Sequence, residues 1–136
     1  MSILKRYGPQ WRMPMTMNIV IADDSSLSRK MVMNALPPQL SDVEITFARN
    51  GKEALDAYYA GKADVMFLDL TMPEMDGYTV LKKLKEAEAN TIVCVISADI
   101  QPEAQQRVLA LGAACFIGKP VTTELLRKRI HDIGLL

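Results

Sequence analysis

Long hydrophobic runs, cysteine and net charge are all scarce in this 136-residue chain. No apolar segment approaches the roughly twenty residues that a membrane-spanning helix needs, so a membrane protein of that kind is excluded. Sixteen basic and sixteen acidic side chains balance, which removes any electrostatic reason for nonspecific binding to nucleic acid or to an anionic membrane. The two cysteines, Cys94 and Cys115, both fall in apolar runs and read as buried free thiols. With no apolar core of the signal-peptide kind near the N-terminus, nothing points to an oxidising compartment, and the expected location is cytoplasmic. The lone histidine, His131, lies far along the chain from every motif below and is assigned no catalysis.

The first sixteen residues are also short of something, namely acid. They carry Lys5, Arg6 and Arg12, with breaker residues at Gly8, Pro9 and Pro14 and the single tryptophan, Trp11. This segment, 1–16, is expected to be a flexible extension or a start-site artefact, since Met13, Met15 and Met17 could each initiate the chain. The other reading is a tail that docks through Trp11 and its basic neighbours. Residues 17–136 then make one domain, with a hydrophobic fraction of 49% that supports a real core.

What is present is a series of short apolar runs, each ending in polar residues. Asn18–Ala22 ends in Asp23-Asp24, Asp64–Leu68 ends in Asp69, Thr91–Ile96 ends in Ser97-Ala98-Asp99, and Ala114–Ile117 ends in Gly118-Lys119-Pro120. Continuous apolar runs of this length, bounded by turn residues, predict buried strands. Val43–Ala48 alternates Val43, Ile45 and Phe47 with polar residues, the pattern of a half-buried strand. Between them, helical spacing covers Ser26–Leu36, Lys52–Ala60, Tyr78–Ala87, Pro102 to about Leu111, and Val121–Asp132. Ser25 or Ser26 is placed to cap the first helix, while Gly61 and Gly112 are placed to close the second and fourth. Strands alternating with helices predict a parallel sheet covered on both faces, and ligands of such sheets bind at the carboxyl ends of the strands.

The ordered set Asp23-Asp24, Asp69-Leu-Thr-Met-Pro-Glu-Met-Asp-Gly77, Ser97-Ala98 and Lys119-Pro120 resembles the receiver domain of two-component response regulators, over roughly residues 17–133. The resemblance implies a doubly wound, flavodoxin-like α/β fold with five parallel strands in the order 2-1-3-4-5 and five helices. It also implies a phosphoacceptor that takes a phosphoryl group from a histidine kinase or histidine phosphotransfer protein onto Asp69. Crowded carboxylates are costly unless some take up protons or a cation neutralises them. By resemblance the cation is Mg²⁺, with Mn²⁺ able to substitute, held by Asp24, Asp69 and the backbone carbonyl of Thr71, with Asp23 acting through water. Lys119 and Ser97 would hold phosphate oxygens, Ser97 and Phe116 would form the switch, and Thr71, Ala98 and Asp99 would tune the phosphoryl lifetime. The Lys119–Pro120 bond is expected to be cis.

The output implied is binding of a downstream protein through the fourth helix, fifth strand and fifth helix, by a monomer or weak dimer with no nucleic-acid or membrane partner. Asp23-Asp24-Ser-Ser-Leu-Ser-Arg-Lys30 is similar to the stand-alone chemotaxis subgroup. The chain is read as regulatory and not as an enzyme. Two alternatives stand beside this: a receiver fragment of a longer multidomain regulator, and an aspartyl-phosphate phosphatase. The haloacid dehalogenase phosphatases carry a second Asp two residues after the nucleophile, where Thr71 stands here.

Overall fold

In a computed structural model, the structure describes residues 16–38, 40 and 42–135. The expectation for the N-terminal extension, including Trp11, therefore lies outside the described residues apart from Thr16. Five strands, β1 (Met17–Ala22), β2 (Val43–Ala48), β3 (Val65–Asp69), β4 (Ile92–Ser97) and β5 (Cys115–Gly118), form one parallel sheet in the order β2-β1-β3-β4-β5. Five helices alternate with them among the described residues: α1 (Ser26–Ala35), α2 (Gly51–Tyr59), α3 (Gly77–Glu86), α4 (Pro102–Ala110) and α5 (Thr123–Asp132). The strand order anticipated from the motif set is the one found.

Strand alternation divides the core into two layers. Val20, Met66, Leu68, Val93 and Val95 pack on one face against Ala54, Leu55, Val80, Leu81 and Val108 of α2, α3 and α4. Ile19, Ile21, Val65, Phe67, Ile96 and Ile117 pack on the other against Val32, Ala35, Leu126 and Ile130 of α1 and α5. Central β3 is buried at all five positions, Asp69 included, which is why its sequence reads as an unbroken apolar run.

The helices begin where side-chain caps dictate. Ser25, Asn50, Asp76 and Thr122 each accept a hydrogen bond from a backbone N–H three residues on, at 2.8–3.2 Å, satisfying donors that the first turn leaves unpaired. The caps at Asn50 and Asp76 bring Gly51 and Gly77 into the helices, one residue earlier than the apolar spacing alone indicates. Both glycines sit where backbones touch. A methyl group on Gly51 would collide with the Met75 backbone, and one on Gly77 would lie 2.8 Å from the Cα of Leu70. Gly77 N–H also donates to the Leu70 carbonyl at 2.9 Å. The loop after Asp69 is thus folded back tightly onto the end of its own strand.

The reading of the cysteines is corrected here. Cys94 and Cys115 are direct partners on β4 and β5, with Cα atoms 4.8 Å apart, and they form a disulfide. Their burial led to the free-thiol reading, but burial does not report which strands are neighbours. Cysteine usage consequently gives no argument for a reducing compartment. No helix among the described residues is long and apolar enough to cross a membrane.

Phe47, placed by alternation on the apolar face of its strand, lies partly in solvent on edge strand β2 with the Arg29 guanidinium 5.5 Å from its ring centroid, and Leu27 of α1 is 68% exposed.

Gly77→Ala is expected to destabilise the domain by about 1–3 kcal/mol, the usual range for overpacking a tight contact. The readout is a lower urea midpoint with unchanged slope. A wild-type midpoint would mean that the Asp69–Gly77 loop gives way without cost.

Candidate functional site

The carboxyl ends of β1, β3 and β5 carry Asp23, Asp69 and Lys119. Asp23 follows Ile19 and Ile21 at every second position, Asp69 follows Val65 and Phe67, and Lys119 follows Cys115 and Ile117. Alternation therefore aims all three toward the α1/α5 side of the sheet. Ser97 follows Val93 and Val95, and so belongs to the α2–α4 side. The strand ends accordingly lie between two clefts. One, of about 310 Å³, is bordered by Asp23, Ser28, Met31, Ile96, Lys119 and Pro120. The other, of about 260 Å³, is bordered by Thr71, Met72, Asp76, Tyr78, Ser97 and Asp99.

One ammonium group joins the acids. Lys119 Nζ lies 2.9 Å from Asp23 Oδ2 and 3.5 Å from Asp69 Oδ1. Its backbone N–H donates to the Ser97 carbonyl at 2.8 Å, tying the β5 end to β4, and the Lys119–Pro120 bond is cis as expected. Asp23 and Asp69 are buried whereas Asp24 is exposed, and one carboxylate oxygen from each of the three lies within 4.8 Å of the others. Three hard oxygen donors at this spacing suit a small divalent cation that keeps several of its waters.

The electrostatics are asymmetric. The Asp69 carboxyl is held above its ordinary pKa chiefly by burial, with the Asp23 charge adding to it; Lys119 and the Thr71 N–H work in the opposite direction without cancelling it. Burial is also the largest single influence on Lys119, where it favours the neutral amine. The Asp23 hydrogen bond and the charges of Asp69 and Asp23 outweigh it, so the lysine pKa lies above the usual value.

The other residues singled out by sequence fall around this centre. The Ser97 hydroxyl oxygen accepts the Asp99 N–H at 3.1 Å, which leaves its proton available to another acceptor. Thr71, Ala98 and Asp99 are exposed at the rim. Phe116 is partly buried against the α2–α4 layer, and its carbonyl accepts from Arg129 Nε at 3.4 Å. His131 lies exposed on α5, with Nδ1 4.0 Å from its neighbour Asp132. Sequence reasoning missed Ser25, whose N–H donates to Asp23 Oδ1 at 2.9 Å, and Arg29, whose Nη1 donates to the Asp23 carbonyl at 2.8 Å. The signal for Arg29 was a cation one helical turn into α1, on the side turned back to the strand end.

The profile of the response regulator receiver domain family matches residues 19–131. The chemotaxis protein CheY of Bacillus subtilis is 32% identical over 117 residues, covering 86% of this chain and 97% of that protein. A protein-glutamate methylesterase/protein-glutamine glutaminase of Geobacter sulfurreducens is 36% identical over 118 residues. The match spans 83% of this chain but only about a third (32%) of that longer protein. Among solved structures, the signal receiver domain of the putative response regulator NarL from Mycobacterium tuberculosis superposes with a TM-score of 0.76 at 36% identity. That superposition covers 88% of this chain and 96% of the other.

The raised Asp69 pKa has a stability consequence. A carboxyl whose pKa is higher folded than unfolded contributes stability below the ordinary carboxylate pKa, and this contribution is lost as pH rises through the raised value. In EDTA, Asp69→Asn is therefore expected to melt at a higher temperature than wild type at pH 7, the gap closing as the pH falls into the carboxylate range. Adding Mg²⁺ should raise the melting temperature of wild type more than that of Asp69→Asn. A variant less stable than wild type at pH 7 in EDTA would contradict this balance.

Proposed function

Because the chain belongs to the response regulator receiver domain family, we propose that it carries its signal as an aspartyl phosphate on Asp69, received from a histidine kinase or histidine phosphotransfer protein. The observation that carries this assignment is the placement of Asp69. It alone among the three acids ends the central strand, buried, with Lys119 Nζ at 3.5 Å.

In the transfer, an Asp69 oxygen attacks the phosphorus of a phosphohistidine whose other ring nitrogen is protonated; the P–N bond breaks, its electron pair stays on nitrogen, and the donor histidine leaves as neutral imidazole. Phosphoryl transfer asks a protein mainly for alignment and charge stabilisation. Lys119 is within reach to take a phosphate oxygen by giving up part of its contact with Asp23. Ser97 donates its hydroxyl to another oxygen from the opposite cleft. Asp24, Asp69 and the Thr71 carbonyl would hold Mg²⁺, or Mn²⁺ in its place, with Asp23 acting through water. Bound there, the ion supplies charge neutralisation for the carboxylates and the incoming phosphoryl oxygens.

The added group brings roughly −1.5 to −2 charge at neutral pH. Ser97 drawn toward that charge must give up its Asp99 N–H contact, which loosens the loop leading into α4 and frees room for Phe116 to turn inward. The output surface is then α4, β5 and α5, met by a protein partner and not by nucleic acid or a membrane. Thr71, Ala98 and Asp99 at the rim set how readily water reaches the phosphoryl group. Residues 17–136 are the receiver domain, a regulatory module acting as a monomer or weak dimer in the cytoplasm. The same domain forms about a third of the methylesterase relative, so an output joined to it in a longer protein is the second reading.

Incubation with acetyl phosphate and Mg²⁺ is expected to add one phosphoryl group per chain by intact mass. EDTA or Asp69→Asn should abolish the gain. Sustained release of inorganic phosphate from simple phosphomonoesters would favour the phosphatase reading instead.

A further inference from the structure

Asp23 is held on every side. Its N–H donates to the Ala48 carbonyl at 3.0 Å, continuing the β1–β2 ladder by one residue. Its carboxylate takes Ser25 N–H on Oδ1 and Lys119 Nζ on Oδ2, each at 2.9 Å. The pairing of β1 with β3 ends at Ala22 and Leu68, and the Asp23 carbonyl receives Arg29 Nη1 at 2.8 Å.

That carbonyl belongs to the peptide joining Asp23 to Asp24. The orientation of this peptide plane sets ψ of Asp23 and φ of Asp24, and so the direction in which the Asp24 side chain leaves the chain. We propose that Arg29 is a positioning residue for the acid cluster: by holding the Asp23–Asp24 peptide, it keeps the exposed Asp24 carboxylate turned toward Asp69. The inference rests on the metal-dependent reading of the site given above.

Three features support it. The first intrahelical bond of α1, Arg29 N–H to the Ser25 carbonyl at 3.0 Å, fixes Arg29 on the turn facing the strand end, so the guanidinium reaches back without disturbing the helix. Its planar fork and permanent charge let it bond the carbonyl and lie over the Phe47 ring at once, which a lysine ammonium cannot reproduce. The third feature is a cost. Arg29 Nε is a buried donor without a hydrogen-bond partner, the one such side-chain atom among the described residues, and burying a donor in this way is unfavourable. The fold accepts that cost to bring Nη1 to the Asp23 carbonyl.

The test is a MgCl₂ titration of the whole chain, followed through the amide NMR signals of Asp24, Asp69 and Thr71, with melting measured on the same samples. Arg29→Gln is expected to raise the Mg²⁺ dissociation constant roughly tenfold, the scale on which loss of a ligand's supporting hydrogen bond acts. Arg29→Lys should give an intermediate loss. Phe47→Leu, which removes the ring but not the hydrogen bond, should lower the melting temperature and leave the constant unchanged. Wild-type affinity in folded Arg29→Gln, or an equal loss in Phe47→Leu, overturns the inference. If Arg29→Gln does not fold, Arg29→Lys decides: weakened affinity in the folded variant supports the role, and wild-type affinity ends it. Should wild type and Asp24→Ala both fail to bind Mg²⁺, the metal-dependent reading itself falls, and this inference with it.

Discussion

The site depends on one shared cation. Lys119 stands 2.9 Å from Asp23 and 3.5 Å from Asp69, and without it two buried carboxylates would face each other with no opposite charge between them, which is costly in a weakly polar interior. Much of the nearby architecture serves to hold that ammonium in place. The β5 end is tied to the β4 end through Lys119 N–H and the Ser97 carbonyl, and strand alternation turns the lysine to the same side as both acids. Burial and the neighbouring Asp23 charge keep the Asp69 pKa raised despite the lysine. Three carboxylate oxygens within 4.8 Å of one another favour binding of a cation beside them.

The two clefts beside Asp69 differ in their chemistry. On the α1/α5 side the groups are charged and already paired, Lys119 with Asp23 and Arg29 with the Asp23 carbonyl. On the α3/α4 side they are hydroxyl and backbone groups with weaker commitments, such as Ser97 and the loop through Asp99. Breaking one hydrogen bond to a hydroxyl oxygen costs far less than separating a buried ion pair, so the Ser97 side is the more easily rearranged of the two. α4 is further fixed to α3 by Arg107, whose guanidinium lies 3.8 Å from the Tyr78 ring centroid, and by Lys85 Nζ bonding the Ala110 carbonyl at 2.9 Å. Any displacement of α4 must work against these two contacts.

Much of this was legible from residue order. Apolar runs ending in acid, hydroxyl or lysine placed the strands, and the motif set identified Asp69 as the central acid. Boundaries slipped by one residue where local chemistry overrode apolar spacing: Asn50 and Asp76 cap the helices so that Gly51 and Gly77 join them, and Asp69 and Ser97 stay within their strands. Other features depended on neighbours that periodicity does not report. Cys94 and Cys115 are 21 residues apart and meet only because β4 and β5 are adjacent. Leu27 and Phe47 have core-like spacing but are exposed among the described residues. Arg29 had only a weak signal, a cation one turn into α1, because its partner is a backbone carbonyl, which no side-chain motif encodes.

The central claim is that Asp69, and neither Asp23 nor Asp24, forms the covalent bond to phosphorus. Borohydride reduction of the phosphorylated chain converts an aspartyl phosphate to homoserine, and peptide mapping by mass spectrometry then locates it. The account predicts homoserine at position 69 alone. Homoserine at 23 or 24, with residue 69 left as aspartate, would contradict it.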